Sequence, residues 1–158
     1  MKIYTIGVYG KSEEEFFSSL INNGITCFFD IRQRRGVRGA KYKFVNSNYL
    51  QKKLIDINID YKHLKHLAPT SAIREVQKNQ DISSNIKKRD RGLLSNDFCC
   101  LYQKEILDDY NFSEEFTAIE QGESIAFFCV EQEHHACHRS LVTKNLIGID
   151  SSLEVVHL

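Results

Sequence analysis

Residues 124–141, Ser-Ile-Ala-Phe-Phe-Cys-Val-Glu-Gln-Glu-His-His-Ala-Cys-His-Arg-Ser-Leu, concentrate the groups that could do chemistry. The apolar run Ile125–Val130 stops abruptly at Glu131, Glu133, His134, His135, Cys137, His138 and Arg139. Thiolate is the nucleophilic form of cysteine, and a helix N-terminus beside an arginine stabilises it. Cys137 or Cys129 could therefore attack an electrophile, with His138 or Glu131 moving the proton. The same donors permit a second reading. Cys129, His134 or His135, Cys137 and His138 are ligand types that zinc accepts, although their spacing repeats neither a C-x-x-C nor an H-x-x-x-H pair. Cys129 also continues a run of Phe, as a small core hydrophobe would.

A second group lies far upstream. Asp30 and Arg32 end a buried-looking run, and Arg34, Arg35 and Arg38 follow in a loop relaxed by Gly36 and Gly39. Guanidinium forks match phosphate oxygens two at a time, so Arg32, Arg38 and Arg139 could converge on one anion. Asp30 then acts as a base or holds Arg32 in place. The lone His63 and His66 fit satisfied surface or core positions better than catalysis.

These groups need a scaffold that brings them together. Lys2–Val8 reads as a strand, rich in β-branched and aromatic residues. Ser12 with Glu15 forms a capping box for a helix in which Phe16, Phe17, Leu20 and Ile21 line one face and which Gly24 closes. Ile25–Ile31 is a second strand, and strand–helix–strand at this spacing makes the two strands parallel. A helix over 48–55 and an alternating strand over 59–64 follow. Pro69, Thr70 and Ser71 mark a helix start. Residues 74–97 are polar and basic, a partly helical excursion whose loop could act as a lid. Helices over 98–110 and from Ser113 to Gly122 precede the strand ending at Cys129. A helix over 136–146 and a strand over 153–158 complete the chain. The pattern predicts one α/β domain over 1–158, three layers thick, with helices on both faces of a mostly parallel sheet of about five strands. In such sheets ligands bind beyond the strands' C-terminal ends, which is where Asp30 and Cys129 would lie side by side.

Composition limits the function classes. With 42% hydrophobic and 27% charged residues, the chain has the make-up of a globular domain and not of a disordered one. Its apolar runs are too short for a membrane span, and Met1 leads straight into a strand, so neither membrane insertion nor a signal peptide is expected. Five cysteines without a secreted spacing imply reduced thiols and a cytoplasmic setting. The zero net charge hides an asymmetry: residues 31–104 carry 17 Lys/Arg against 6 Asp/Glu, whereas 105–158 carry 2 against 11. A cationic half of this kind favours phosphate-bearing partners, unless the acidic half neutralises it in three dimensions.

Thr5-Ile-Gly, Asp30-Ile-Arg32, Tyr61-Lys-His-Leu64 and Cys129-Val-Glu131 followed by Cys137-His-Arg139 together resemble the family called domain of unknown function 488. Gly36-Val-Arg-Gly39 and Leu67-Ala-Pro-Thr70 are similar to one branch of it. The resemblance spans nearly the whole chain and brings no activity with it. It implies a small cytoplasmic α/β domain with a polar site of Asp30, Arg32, Arg38, Glu131, Cys137, His138 and Arg139, to which Tyr61 is added as a substrate-binding candidate. The general plan is similar to rhodanese-like and phosphatase domains, but a Cys-x5-Arg loop is not met, because position 135 is His. The resulting expectation is an enzyme acting on a phosphate-bearing substrate, a nucleotide or nucleic acid, of open reaction class. Asp30, Glu131, Cys137 and His138 would be catalytic, and Arg32, Arg38, Arg139 and Tyr61 would bind. One alternative is a non-catalytic nucleic-acid-binding module using 31–55 and 87–91, with Tyr42, Phe44 and Tyr49 stacking on bases. The other is a zinc-stabilised domain holding the metal through Cys129, His135, Cys137 and His138; apart from zinc no cofactor is expected. Oligomeric state is not set by the sequence.

Overall fold

The computed structural model describes residues 1–158 except for the side chain of Arg89. Five parallel strands form a single sheet: β1 (Lys2–Ile6), β2 (Cys27–Asp30), β3 (Asp60–His63), β4 (Ile125–Phe128) and β5 (Glu154–His157), in the order β3-β2-β4-β1-β5. Six α-helices connect them: α1 (Glu13–Asn22), α2 (Ser47–Asp56), α3 (Ser71–Ser83), α4 (Asn96–Tyr102), α5 (Ser113–Glu120) and α6 (Arg139–Ile149).

Side chains that alternate along the central strands build two cores, because successive residues of a strand point to opposite faces. Phe28, Ala126 and Phe128 pack with Phe16, Leu20, Phe44, Leu50 and Leu54 under α1 and α2. Cys27, Phe29, Ile125, Phe127 and Cys129 pack on the other face with Ile73, Phe98, Tyr102, Ile119, Val142 and Leu146. Strands β2 and β4 are buried at every position, whereas β3, at the sheet's edge, alternates between exposed and half-buried residues. Among the described residues, no helix is long and apolar enough to cross a membrane.

The local signals act as their chemistry requires. Ser12 accepts from the Glu15 N–H while Glu15 accepts from the Ser12 N–H, closing the capping box. Thr70 caps α3 through the Ile73 N–H. Gly24 and Gly122 reverse the chain at φ of 62° and 87°, a region closed to most side chains.

Three elements differ from the expectation. The helix expected over 98–110 is α-helical only to Tyr102 and then widens into a π-type turn over Gln103–Leu107. The cap of α5 is Phe112, with Ser113 already inside the helix. The last helix starts at Arg139 and not at Ala136, because a single 3-10 turn over His134–Ala136 intervenes and Cys137 is extended (φ −137°, ψ 142°). Cys137 and His138 therefore precede the helix and do not belong to its first turn.

Candidate functional site

Parallel pairing places Ile6, Asp30 and Phe128 at one edge of the sheet, and the segments leaving these strands build the site. A cavity of about 790 Å³ opens there. Arg32, Gln33, Arg34 and Arg38 from the loop after β2 form one side. Cys129, Val130, Glu131, Cys137 and His138 from the segment after β4 form another. Arg74, Gln77, Lys78 and Asp81 of α3, with Lys88 and Arg91 of the following loop, form the third wall. The expected excursion over 74–97 is thus part of the site's wall. It is tied down by Leu94 N–H donating to His135 O (3.1 Å), by Ser95 N–H donating to Gln77 Oε1 (2.8 Å), and by Arg91 donating to Asp81 (2.7 Å) and Ala136 O (3.1 Å).

Asp30 is completely buried and does not face the cavity. Its Oδ1 accepts from Arg32 N (3.1 Å) and Nε (2.9 Å), and its Oδ2 accepts from Arg32 Nη2 (2.7 Å) and Tyr61 Oη (2.9 Å). Four donors leave this carboxylate no lone pair for a substrate proton. Of the two roles open to Asp30, the geometry is that of a residue that positions Arg32. Tyr61 serves the same carboxylate from β3; burial and the Asp30 charge push its hydroxyl up to about 12, so it stays a neutral donor. His63 Nε2 donates to the Arg32 carbonyl at 2.8 Å. The Arg32 guanidinium stacks 4.6 Å over the Phe128 ring, and its remaining Nη1 is buried without a partner.

Arg139 is not brought to the cavity. It is 1% exposed, and Nη1 and Nη2 donate to the carbonyls of Glu131 (2.6 Å) and Gln132 (2.9 Å). Its guanidinium fastens the loop after β4 to the start of α6 and is unavailable as a third arm on the anion. Gly7 makes that arrangement possible: a Cβ there would stand 2.0 Å from the Glu131 carbonyl oxygen. Tyr42 and Phe44, expected to stack on bases, are buried in the core beneath the basic loop, while Tyr49 is exposed.

Arg38 does line the cavity, joined by Arg34, by Lys88 and Arg91 of the basic 87–91 stretch, and by Arg74 and Lys78, which the sequence did not single out. Seven lining residues are basic (Arg32, Arg34, Arg38, Arg74, Lys78, Lys88, Arg91) against three acidic (Glu75, Asp81, Glu131), so the cavity is electropositive. Arg74 Nε and Arg91 Nε are, like Arg32 Nη1, buried and without partners. A sequence signal for this wall existed: Arg74, Gln77, Lys78 and Asp81 follow i, i+3, i+4, i+7, a polar stripe on one face of a helix. Gln77 and Asp81 are buried on that stripe, where Gln77 Nε2 donates to Asp81 Oδ1 at 2.7 Å.

The reactive corner lies beneath. Cys129, Cys137 and His138 are all buried, with their ligand-type atoms within 4.8 Å of one another. His135, the fourth metal candidate, is exposed and packs beside His134 instead. Burial would raise the Cys137 thiol, but donation from the Cys129 thiol, the charge of Arg139 and the Arg139 N–H bring it down to about 7. Cys129, donating to that sulfur and fully buried, is driven well above the ordinary thiol range. Glu131 is buried at the cavity wall, 3.3 Å from Lys88 Nζ.

The family model described as domain of unknown function DUF488 matches residues 12–146. No curated protein and no solved structure matches.

Proposed function

The chain belongs to the DUF488 family, and from its cavity we propose that the protein is an enzyme acting on a phosphate-bearing substrate, a nucleotide or a nucleic-acid end. One observation carries this reading: of the four guanidinium nitrogens buried without partners among the described residues, on Arg32, Arg74, Arg91 and Arg139, the first three belong to residues that line the same electropositive cavity. A buried donor left unsatisfied costs about 1–3 kcal/mol, and more when it is charged. Three such donors, on side chains that border one space, fit an anion site whose oxygens take them up once the guanidinium groups turn toward it. Arg32 is held for that task by Asp30 and Tyr61, and Arg38 adds charge at the rim. The reacting end of the substrate meets the Cys129–Cys137–His138 corner, with Glu131 as the carboxylate that accepts or returns a proton. Asp30 and Arg139 act by positioning.

Isothermal titration with inorganic phosphate, a nucleoside monophosphate and the matching nucleoside tests the reading. Arg74→Gln is the discriminating variant, because Arg74 makes no ion pair that the scaffold needs. Wild type is expected to bind the phosphate-bearing compounds and not the nucleoside. Loss of one charged hydrogen bond, worth about 1.5–3 kcal/mol, should weaken Arg74→Gln roughly tenfold or more. Equal binding of nucleoside and nucleotide, or no binding of either phosphate compound, would overturn the proposal.

A further inference from the structure

Cys129 leaves β4 and Cys137 and His138 precede α6, so their meeting is a product of the fold and not of local spacing. Cys129 Sγ, Cys137 Sγ and a ring nitrogen of His138 lie within 4.8 Å of one another, and Cys137 Sγ is 3.8 Å from His138 Nδ1. A tetrahedral zinc with bonds of about 2.3 Å to sulfur and 2.0 Å to nitrogen sets its ligand atoms about 3.6–3.8 Å apart. The Cys137–His138 separation already matches, and the trio needs at most a contraction of about 1 Å to close.

The orientation of His138 is the second observation. Its Nε2 lies 3.0 Å from the carbonyl oxygen of Ile31. A carbonyl only accepts, so Nε2 carries the proton and Nδ1 turns a lone pair toward Cys137. A metal-bound histidine is typically anchored in this way, its outer N–H held by a backbone carbonyl. The ring is also packed edge-on against Tyr102, 5.6 Å between centroids, which fixes its plane. Two thiolates would cancel the charge of one divalent ion, so the filled corner is buried without net charge. Sulfur and imidazole donors select zinc over magnesium or calcium.

We propose that Cys129, Cys137 and His138 bind one zinc ion, with its fourth coordination position open to the cavity. Three protein ligands and an open position are the arrangement of a catalytic and not a structural zinc. All three ligands line the cavity, so the open position faces the space that Arg32 and Arg74 border. Water or a substrate oxygen would fill it. That last assignment rests on the phosphate reading above; the metal site itself does not.

The test uses the full chain, kept reduced, stripped with a chelator and titrated with Co(II). The expected result is one cobalt per chain, with a thiolate-to-cobalt charge-transfer band, tetrahedral visible bands, and displacement by zinc. Cys129→Ser and Cys137→Ser should each lose the charge-transfer intensity of one thiolate. His138→Gln should weaken binding, and Cys100→Ser, at an exposed thiol, should change nothing. Circular dichroism of each variant separates loss of a ligand from loss of fold, and the wild-type stoichiometry stands whatever the variants do. Failure of the reduced wild type to take up stoichiometric cobalt, or a band that survives the Cys129→Ser/Cys137→Ser double substitution, would overturn the site. Cobalt uptake unchanged in Arg74→Gln, alongside wild type that binds no phosphate, would sink the substrate reading and leave the zinc site standing.

Discussion

Asp30→Asn separates a positioning role from a catalytic one. The wild-type carboxylate takes two side-chain bonds from Arg32 at 2.9 and 2.7 Å, a third from the Arg32 N–H and a fourth from Tyr61. The amide keeps the shape but turns an NH₂ group toward donors, and it leaves the 4%-exposed Arg32 without a counter-charge. Breaking a buried pair from one side costs about 3–5 kcal/mol. A domain is stable by only about 5–15 kcal/mol, so between about a fifth and the whole of the folding free energy is at stake. At about 2–4 °C per kcal/mol for this chain length, the melting temperature should fall by about 6–20 °C. The control Tyr61→Phe removes one neutral donor and should cost about 1 kcal/mol. Urea unfolding followed by far-ultraviolet circular dichroism reads both, which suits a chain without tryptophan. Phosphate binding should fall together with stability in Asp30→Asn, because Arg32 loses its orientation. If Asp30→Asn lies within about 0.5 kcal/mol of wild type, as exposed substitutions do, the positioning argument is refuted.

Other consequences follow from single contacts. Gly7→Ala places a methyl 2.0 Å from the Glu131 carbonyl oxygen and should destabilise by about 3 kcal/mol, read by thermal melting, because the Arg139-bound loop must move. Tyr102→Phe leaves the buried Leu67 carbonyl, now bonded at 2.5 Å, without that donor and should cost about 1–3 kcal/mol in the same assay. His157 stacks on His134 with centroids 3.5 Å apart; partial burial, His134, Arg139 and His135 lower its pKa from 6.5 to about 4. The unfolded chain therefore takes up this proton first, and stability present above about 6.5 is lost as pH falls toward 4. Urea midpoints for His157→Gln should be flatter across that window, the effect being shallow because much of the residue remains in contact with solvent.

The scaffold was legible because its signals are local. The short continuous apolar runs of β2 and β4, the Ser12–Glu15 box and the glycine reversals each depend on a few neighbouring residues, and parallel pairing then follows from the βαβ order. Bringing Asp30–Arg32 to the same edge as Cys129 required only that pairing. The assignment of individual arginines was not legible. Arg139 stands two residues from Cys137 in sequence, but its guanidinium is taken by the Glu131 and Gln132 carbonyls, an approach that depends on Gly7, just past the end of β1. Arg74 and Arg91 sit in a segment that looked like a surface excursion, and only the packing of α3 against α4 turns it into a wall. Tyr42 and Phe44 alternate with lysines as a stacking surface would, yet both are buried in the core that holds Phe16, Phe28 and Phe128. Cys137 is kept out of the helix by the 3-10 turn before it, which leaves its sulfur beside Cys129.

Tungstate, a heavy analogue of phosphate, tests the cavity most directly when soaked into crystals of the reduced protein and located by its anomalous signal. The expected peak lies within hydrogen-bonding distance of Arg32 Nη1 and of Arg74 Nε or Arg91 Nε. Tungstate bound only along the outer lysines of residues 41–53, with these three guanidinium nitrogens making no contact to it, would contradict the account.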